Sequence, residues 1–230
     1  MRQLTVCAGA LLLVPFMFEP APHIAAASRA QSAAPQRIDL AERLAAGTLQ
    51  PVNREVTRLE SPKGAVHVGE APGNGVIWIA GTDFGDGTIE VDIRGRDVVG
   101  QSFVGIAFHR ADDKTYEAVY LRPFNFRATD SVRKQHAVQY IAPPDYDWPR
   151  LRKEFPEEFE NPVDPSLVPT DWVPLRLVVK GKTIQVYAGS VQTPTLEVRK
   201  LGQHDRGMVG LWTGNNSDGD FKDLRISPVK

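Results

Sequence analysis

The chain has 230 residues, 27 Lys and Arg against 28 Asp and Glu, 42% hydrophobic and 24% charged residues, and a single cysteine. That balance excludes wholesale disorder, a disulfide framework and a thiolate zinc site. It also lacks the basic footprint of a nucleic-acid binder, so no nucleic-acid partner is expected.

Residues 1–30 read as a secretory signal peptide. Arg2 precedes a nearly unbroken apolar run from Val6 to Phe18, and small residues follow at Ala25–Ala27 and Ala30. A basic start, a short apolar core and an A-x-A-like end are the features of an export signal. The run is too short for a spanning helix and Pro15 interrupts it, so no transmembrane anchor is expected after cleavage. Cys7 lies at the start of the apolar run and not after it, which argues against a lipid anchor, and it leaves with the signal. The mature chain is then cysteine-free and exported, to a periplasm or outside the cell. Residues 31–51 are expected to be an entry segment, loose from Gln31 to Arg37. A short helix follows from Asp39 to Ala46, with Asp39 as N-cap and Gly47 just past the end.

From residue 52 to 230 period two dominates. Ile89, Val91 and Ile93 share one face of an alternating run, as do Val104, Ile106 and Phe108, and then Val119 and Leu121. Two further alternating runs, carrying Leu175, Leu177 and Val179 and then Ile184, Val186 and Ala188, flank Lys180-Gly181-Lys182, a hairpin signal. Val209–Thr213 and Phe221–Ile226 complete the set. Many short strands without a long helical period predict an all-β antiparallel sandwich or barrel. One stretch breaks the rhythm: Pro143–Asp171 holds seven prolines in 29 residues. Within it Asp147-Trp148-Pro149 reads as a helix start, with Leu151 and Phe155 one turn apart. Such an excursion serves a site or covers a sheet edge.

Glu90 and Asp92 alternate on one strand face, but the third position of that face is Arg94, which is no general acid at neutral pH. Alternating charge there reads as a solvated outer face. A second face gathers His109, Tyr116, Tyr120 and Arg122 beside Gly105 and Ala107. Small residues leave room, while flat and polar side chains suit a sugar, whose apolar ring faces are edged by hydroxyls. Asn125, Arg127 and Gln139 follow on neighbouring segments, and Arg122 is placed to clamp an anionic group. Among the tryptophans, Trp148 is the one put forward for stacking on a ligand; Trp78 and Trp172 read as core. Asn215–Asp220 is rich in oxygen donors, though Gly, Asn and Asp serve turns in any case.

The runs Gly87–Ile93, Ser102–His109 and Tyr116–Phe126, with Gly207–Trp212 and Asp220–Ile226, resemble the concanavalin A-like lectin/glucanase superfamily. More narrowly they are similar to exported bacterial domains near the laminin-G-like and 3-keto-disaccharide hydrolase (DUF1080) families. The resemblance implies a two-sheet jelly roll that binds a carbohydrate or glycan on a concave sheet face. It implies calcium as a candidate cofactor, with Asp220 as its candidate ligand. It also leaves open a glycoside hydrolase or lyase acting on a sugar derivative, with His109 or Glu117 as acid/base and Arg122 orienting the substrate. In that reading Glu117 alternates away from Tyr116 and Tyr120, which sets it apart from His109. A structural, adhesive laminin-G-like module is the remaining alternative.

Overall fold

The computed structural model describes residues 35–229, and the predicted signal, Met1 to Ala30, lies outside them. Two antiparallel sheets form a sandwich. The strands are β1 (Gln36–Ile38), β2 (Leu49–Val52), β3 (Val56–Arg58), β4 (Val66–Val68), β5 (Gly75–Ile79), β6 (Gly87–Arg94), β7 (Val104–Arg110) and β8 (Glu117–Leu121). They continue as β9 (Val138–Ile141), β10 (Glu160–Asn161), β11 (Val173–Lys180), β12 (Thr183–Ala188), β13 (Leu196–Arg199), β14 (Met208–Thr213) and β15 (Gly219–Pro228). The first sheet runs β13-β12-β11-β6-β15-β4-β3, with β1 added alongside β15; the second runs β10-β9-β8-β7-β14-β5-β2.

The alternation read from the sequence places the core. Ile89, Val91 and Ile93 pair across to Leu177, Leu175 and Val173 on β11, and all are buried. The β11–β12 hairpin turns at Gly181, whose φ of +57° suits a residue without a Cβ. Glu90, Asp92 and Arg94 fall on the opposite, solvent-facing side of the first sheet, as expected. Asp39 caps helix α1 (Leu40–Ala45) by accepting from the Glu42 amide at 2.9 Å. The segment expected to lie ahead of the sandwich is instead woven into it. Strand β1 pairs with β15 and β2 with β5, so residues 36–52 contribute to both sheets.

The second sheet is buried on both faces, because strands β7, β8 and β9 show almost no exposed residue. Its inner face carries Ile106, Val119 and Leu211 against the first sheet. Its outer face carries Tyr120, Trp212 and Trp78 beside Gly105, Ala107 and Gly210. The glycines let these aromatic rings lie flat. A Cβ at Gly105 would stand against the Val119 carbonyl and 2.5 Å from the Tyr120 Cα. Short helices lie over this side, α2 (Ser131–Gln135) and α3 (Trp148–Glu154), and the two-residue strand β10 ends the sheet. The proline-rich excursion packs against the second sheet at two places. It closes an edge of the second sheet through β10, and through α3 it supplies a wall. Among the described residues no helix is long and apolar enough to cross a membrane.

Gly105→Ala is expected to lower stability by about 2 kcal/mol, since backbone atoms and not a flexible side chain must move. A urea midpoint equal to that of the unaltered protein would show that β7 and β8 can separate without cost.

Candidate functional site

A cleft of about 460 Å³ opens on the outer face of the second sheet. Its floor is the pair Tyr120 and Trp212, from β8 and β14, stacked with ring centroids 4.6 Å apart. Phe103 meets Tyr120 edge-on at 6.1 Å and Phe124 at 5.5 Å. Trp148, at the start of α3, stands 47% exposed on the opposite wall. Asn74 and Asn215 edge the opening with exposed side chains, and buried Asn125 lies in the wall, its amide donating to the His136 carbonyl and accepting from Arg133. Buried Arg54 bonds the carbonyls of Gly73 and Gly214 at 2.6 and 2.7 Å, which ties together the two turns that carry Asn74 and Asn215.

Arginines complete the wall. Arg122 is buried and donates to the Tyr120 hydroxyl at 2.8 Å, to Gln139 Oε1 and to the His136 carbonyl at 3.1 Å. Gln139 lies fully buried beneath the cleft. Its oxygen faces Arg122, and its Nε2 has no acceptor among the described residues. Glu160, on β10, pairs with Gln139 in register. Both carboxylate oxygens accept from Arg152, at 2.9 to 3.0 Å. One of them also lies 2.7 Å from His136 Nδ1 and 3.8 Å from Arg122 Nη1. The Arg152 guanidinium rests 4.8 Å above the Trp148 ring, which aligns that wall. Burial pushes the Tyr120 hydroxyl above the usual tyrosine range, opposed mainly by Arg122. Burial also weakens the hold of Arg122 on its proton, though a guanidinium remains charged at any working pH. His136 is pulled below the ordinary histidine value, first by desolvation, with Glu160 opposing and the two arginines assisting.

Of the side chains singled out in the sequence, the cleft collects Tyr120, Arg122, Asn125 and Trp148, with Gln139 supporting from below. Three others lie elsewhere. Arg127 donates to the Leu167 and Ser166 carbonyls and braces the excursion. Tyr116 is covered: its ring packs edge-on against Trp78 at 5.5 Å, and its hydroxyl accepts from Trp212 Nε1 at 3.2 Å. His109 does not share the face of Tyr120. One extra residue on β7 breaks the register with β14 between Gly210 and Met208, and His109 sits there at a φ of +52°. A bulge re-aims a side chain, and this one turns His109 to the inner side. There its Nδ1 lies 2.7 Å from Glu117 Oε2 and its Nε2 lies 3.2 Å from the Gly85 carbonyl. The separation of His109 from Glu117 expected from alternation is thus corrected; the two are partners. Tyr140 donates its hydroxyl to the other Glu117 oxygen and accepts from the Leu201 amide at 2.9 Å. The His109 and Glu117 side chains are each 1% exposed, and a cavity of about 80 Å³ beside them is separate from the cleft.

The Asn215–Asp220 turn does not fit calcium. Asp220 meets His67 Nδ1 at 2.7 Å on one oxygen and Arg94 at 2.7 to 2.8 Å on the other. Asp218 pairs with Arg96, and the Asn215 oxygen accepts from the Gly73 amide at 2.7 Å. The oxygens a cation would need are already held by cations and donors. No group of three metal-ligating side chains occurs among the described residues.

Phe103, Arg133, Arg152 and Glu160 also belong to this site and were missed, and His136 and Trp212 join them. A signal existed for Trp212, which alternates onto the same face as Tyr120. The others sit on turns and short helices, where no period aims a side chain.

No protein-family model and no curated protein matches the chain. Solved structures do resemble it. A Bacillus subtilis protein of unknown function with a galectin-like fold aligns at a TM-score of 0.58 and 13% identity, over 87% of this chain and 99% of that one. The carbohydrate-binding module CBM66 from Bacillus subtilis aligns at 0.55 and 14%, over 78% of this chain and 96% of that one. The exoplasmic/lumenal domain of VIP36, in a form bound to Ca²⁺ and Man3GlcNAc, aligns at 0.53 and 12%, over 80% and 84%. At such identities the likeness shows the fold, a galectin-like and concanavalin A-like β-sandwich.

Two outcomes test the network. Glu160→Ala leaves Arg122 and Arg152 without their counter-charge and is expected to cost about 3 kcal/mol in urea unfolding; a loss near zero would mean that water replaces it. His136 gives a pH dependence. Unfolded, the imidazole takes its proton near pH 6.5; folded, it resists until lower pH. Its contribution is therefore whole above about 6.5 and declines as pH falls below that value. Stability should drop more steeply between pH 7 and 5 in the unaltered protein than in His136→Gln, and parallel curves would remove His136 from the acid response.

Proposed function

We propose that this is an exported carbohydrate-binding protein that holds its sugar in the cleft on the outer face of the second sheet. The observation that carries the reading is the cleft itself: a stacked Tyr120–Trp212 floor, an exposed Trp148 wall, and a rim of amide and guanidinium groups. Apolar ring faces settle on aromatic surfaces, and hydroxyls take the fixed donors and acceptors at the edge. The fold relatives agree in kind, since one is named as a carbohydrate-binding module and another was solved with a bound mannose-containing glycan. Export rests on the pattern of residues 1–30. Retention suits the cleft better than hydrolysis by a pair of carboxylates, because among the described residues no carboxylate lines it and Glu160, behind the wall, is locked in a two-point pair with Arg152. The finer resemblance, to the laminin-G-like and 3-keto-disaccharide hydrolase families, stays compatible with this placement through the shared sandwich.

The protein, offered a glycan panel with both retention and turnover recorded, is expected to retain at least one glycan without cleaving it. Trp148→Ala, at an exposed position that folding does not need, should weaken that retention about fivefold or more, equivalent to ~1 kcal/mol. Turnover of any glycan that survives in Trp148→Ala but disappears in Glu160→Gln would replace the binding reading with an enzymatic one, and an entirely blank panel would end both.

A further inference from the structure

The charge around the cleft departs from the charge of the chain. Overall, 27 basic residues stand against 28 acidic ones. The cleft is lined by three arginines, Arg122, Arg133 and Arg152, and by no aspartate or glutamate. Glu160, the carboxylate behind the wall, is already engaged by Arg152, His136 and Arg122. Arg133 has no carboxylate partner among the described residues. Its Nε donates to Asn125 Oδ1 at 3.2 Å and its Nη2 to the Phe124 carbonyl at 2.9 Å. Those two neutral acceptors hold the fork in place without balancing its charge. Desolvation keeps His136 largely neutral at pH 7, so it adds little to the sum.

Three guanidiniums against one carboxylate leave a positive cleft in a nearly neutral protein. Charge gathered in a concave, partly desolvated wall focuses its field and attracts an anion more strongly than the same charge spread over a surface. A guanidinium fork held from behind is also pre-shaped for a two-point grip on an oxyanion. We propose that the sugar held in the cleft is acidic, with its ring on the Tyr120–Trp212 floor and a carboxylate or sulfate group turned toward Arg133. This rests on the carbohydrate-binding reading and goes beyond it by naming the ligand class. The recognition is carried by the anionic group, and the ring supplies the apolar contact.

The test is calorimetric titration of the protein with a panel of uronate oligomers, their carboxyl-reduced neutral counterparts, and the same neutral oligomers bearing sulfate. At least one acidic oligomer should bind about tenfold or more tighter than its neutral partner. The advantage should shrink as salt is raised, because a partly exposed charge pair is screened. Whether the carboxylated or the sulfated series leads identifies the anion. Arg133→Gln should cut the acidic-to-neutral ratio about tenfold, and Arg133→Lys, which keeps the charge and loses the fork, should fall between. Arg58→Gln, on the exposed strand β3, should leave the ratio unchanged. Circular dichroism confirms that each variant is folded. Neutral oligomers binding as tightly as both acidic series would overturn the acidic-sugar inference while leaving sugar binding intact. Failure of every oligomer, with the wider glycan panel also blank, would overturn both.

Discussion

A carboxylate withdrawn from water costs several kcal/mol unless charges and hydrogen bonds surround it, and Glu160 is 3% exposed. It reaches that position because the proline-rich excursion folds back and lays two residues, Glu160 and Asn161, against β9. Once there, the carboxylate has to be met from several sides. Arg152 comes from α3, His136 from the end of α2, and Arg122 from the end of β8. Each of these groups then touches the cleft. Trp148 is aligned because Arg152 is fixed beneath it, and Tyr120 is oriented because Arg122 bonds its hydroxyl. The shape of the cleft thus follows from the need to balance one buried negative charge, while Arg133, which does not touch Glu160, adds positive charge beyond that balance.

This arrangement depends on a sheet that is covered on both faces. In an antiparallel sandwich one face of each sheet commonly meets water, and the first sheet here obeys, with Glu90, Asp92 and Arg94 outward. The second sheet instead packs Trp78, Tyr116 and Trp212 on its outer face and roofs part of them with α2 and α3. Glycines at 105 and 210 are what allow it, since any Cβ there would press into the neighbouring strand or ring. Ring stacking and close strand approach are therefore one constraint seen from two sides.

The fold was legible in the sequence because a period of two reports which side of a strand each residue takes. Ile89, Val91 and Ile93 declare their face without help from any other part of the chain. The same rule placed Tyr120 and Arg122 together and set Glu117 on the opposite side. It failed at His109 for a physical reason: a bulge inserts one residue, and everything beyond it changes face. Nothing local in Phe108-His109-Arg110 announces a φ of +52°. Arg133, Arg152 and Glu160 were illegible for a different reason, since they lie on short helices and a two-residue strand. Their convergence is set by the path of the excursion, which is tertiary information. Asp220 was undecidable from the sequence, because oxygen-rich turns look alike whether their oxygens await a cation or, as here, already hold His67 and Arg94.

The two polar networks on the second sheet make the functional distinction sharper. On the inner side His109, Glu117 and Tyr140 satisfy one another and two backbone groups, Gly85 O and Leu201 N, in a place with almost no access to solvent. Every strong donor and acceptor there has a partner, as a buried network requires if it is to stabilise and not strain the core. On the outer side the balance is incomplete: Arg133 faces an open cleft with only neutral acceptors behind it, and Gln139 keeps a buried donor without an acceptor. In a chain whose composition is neutral to within one charge, the lining of the cleft carries three guanidiniums and no carboxylate. Charge that the fold leaves unmatched beside an aromatic floor is charge available to a ligand, so the asymmetry between the two faces of one sheet distinguishes the part that holds the protein together from the part that meets something else.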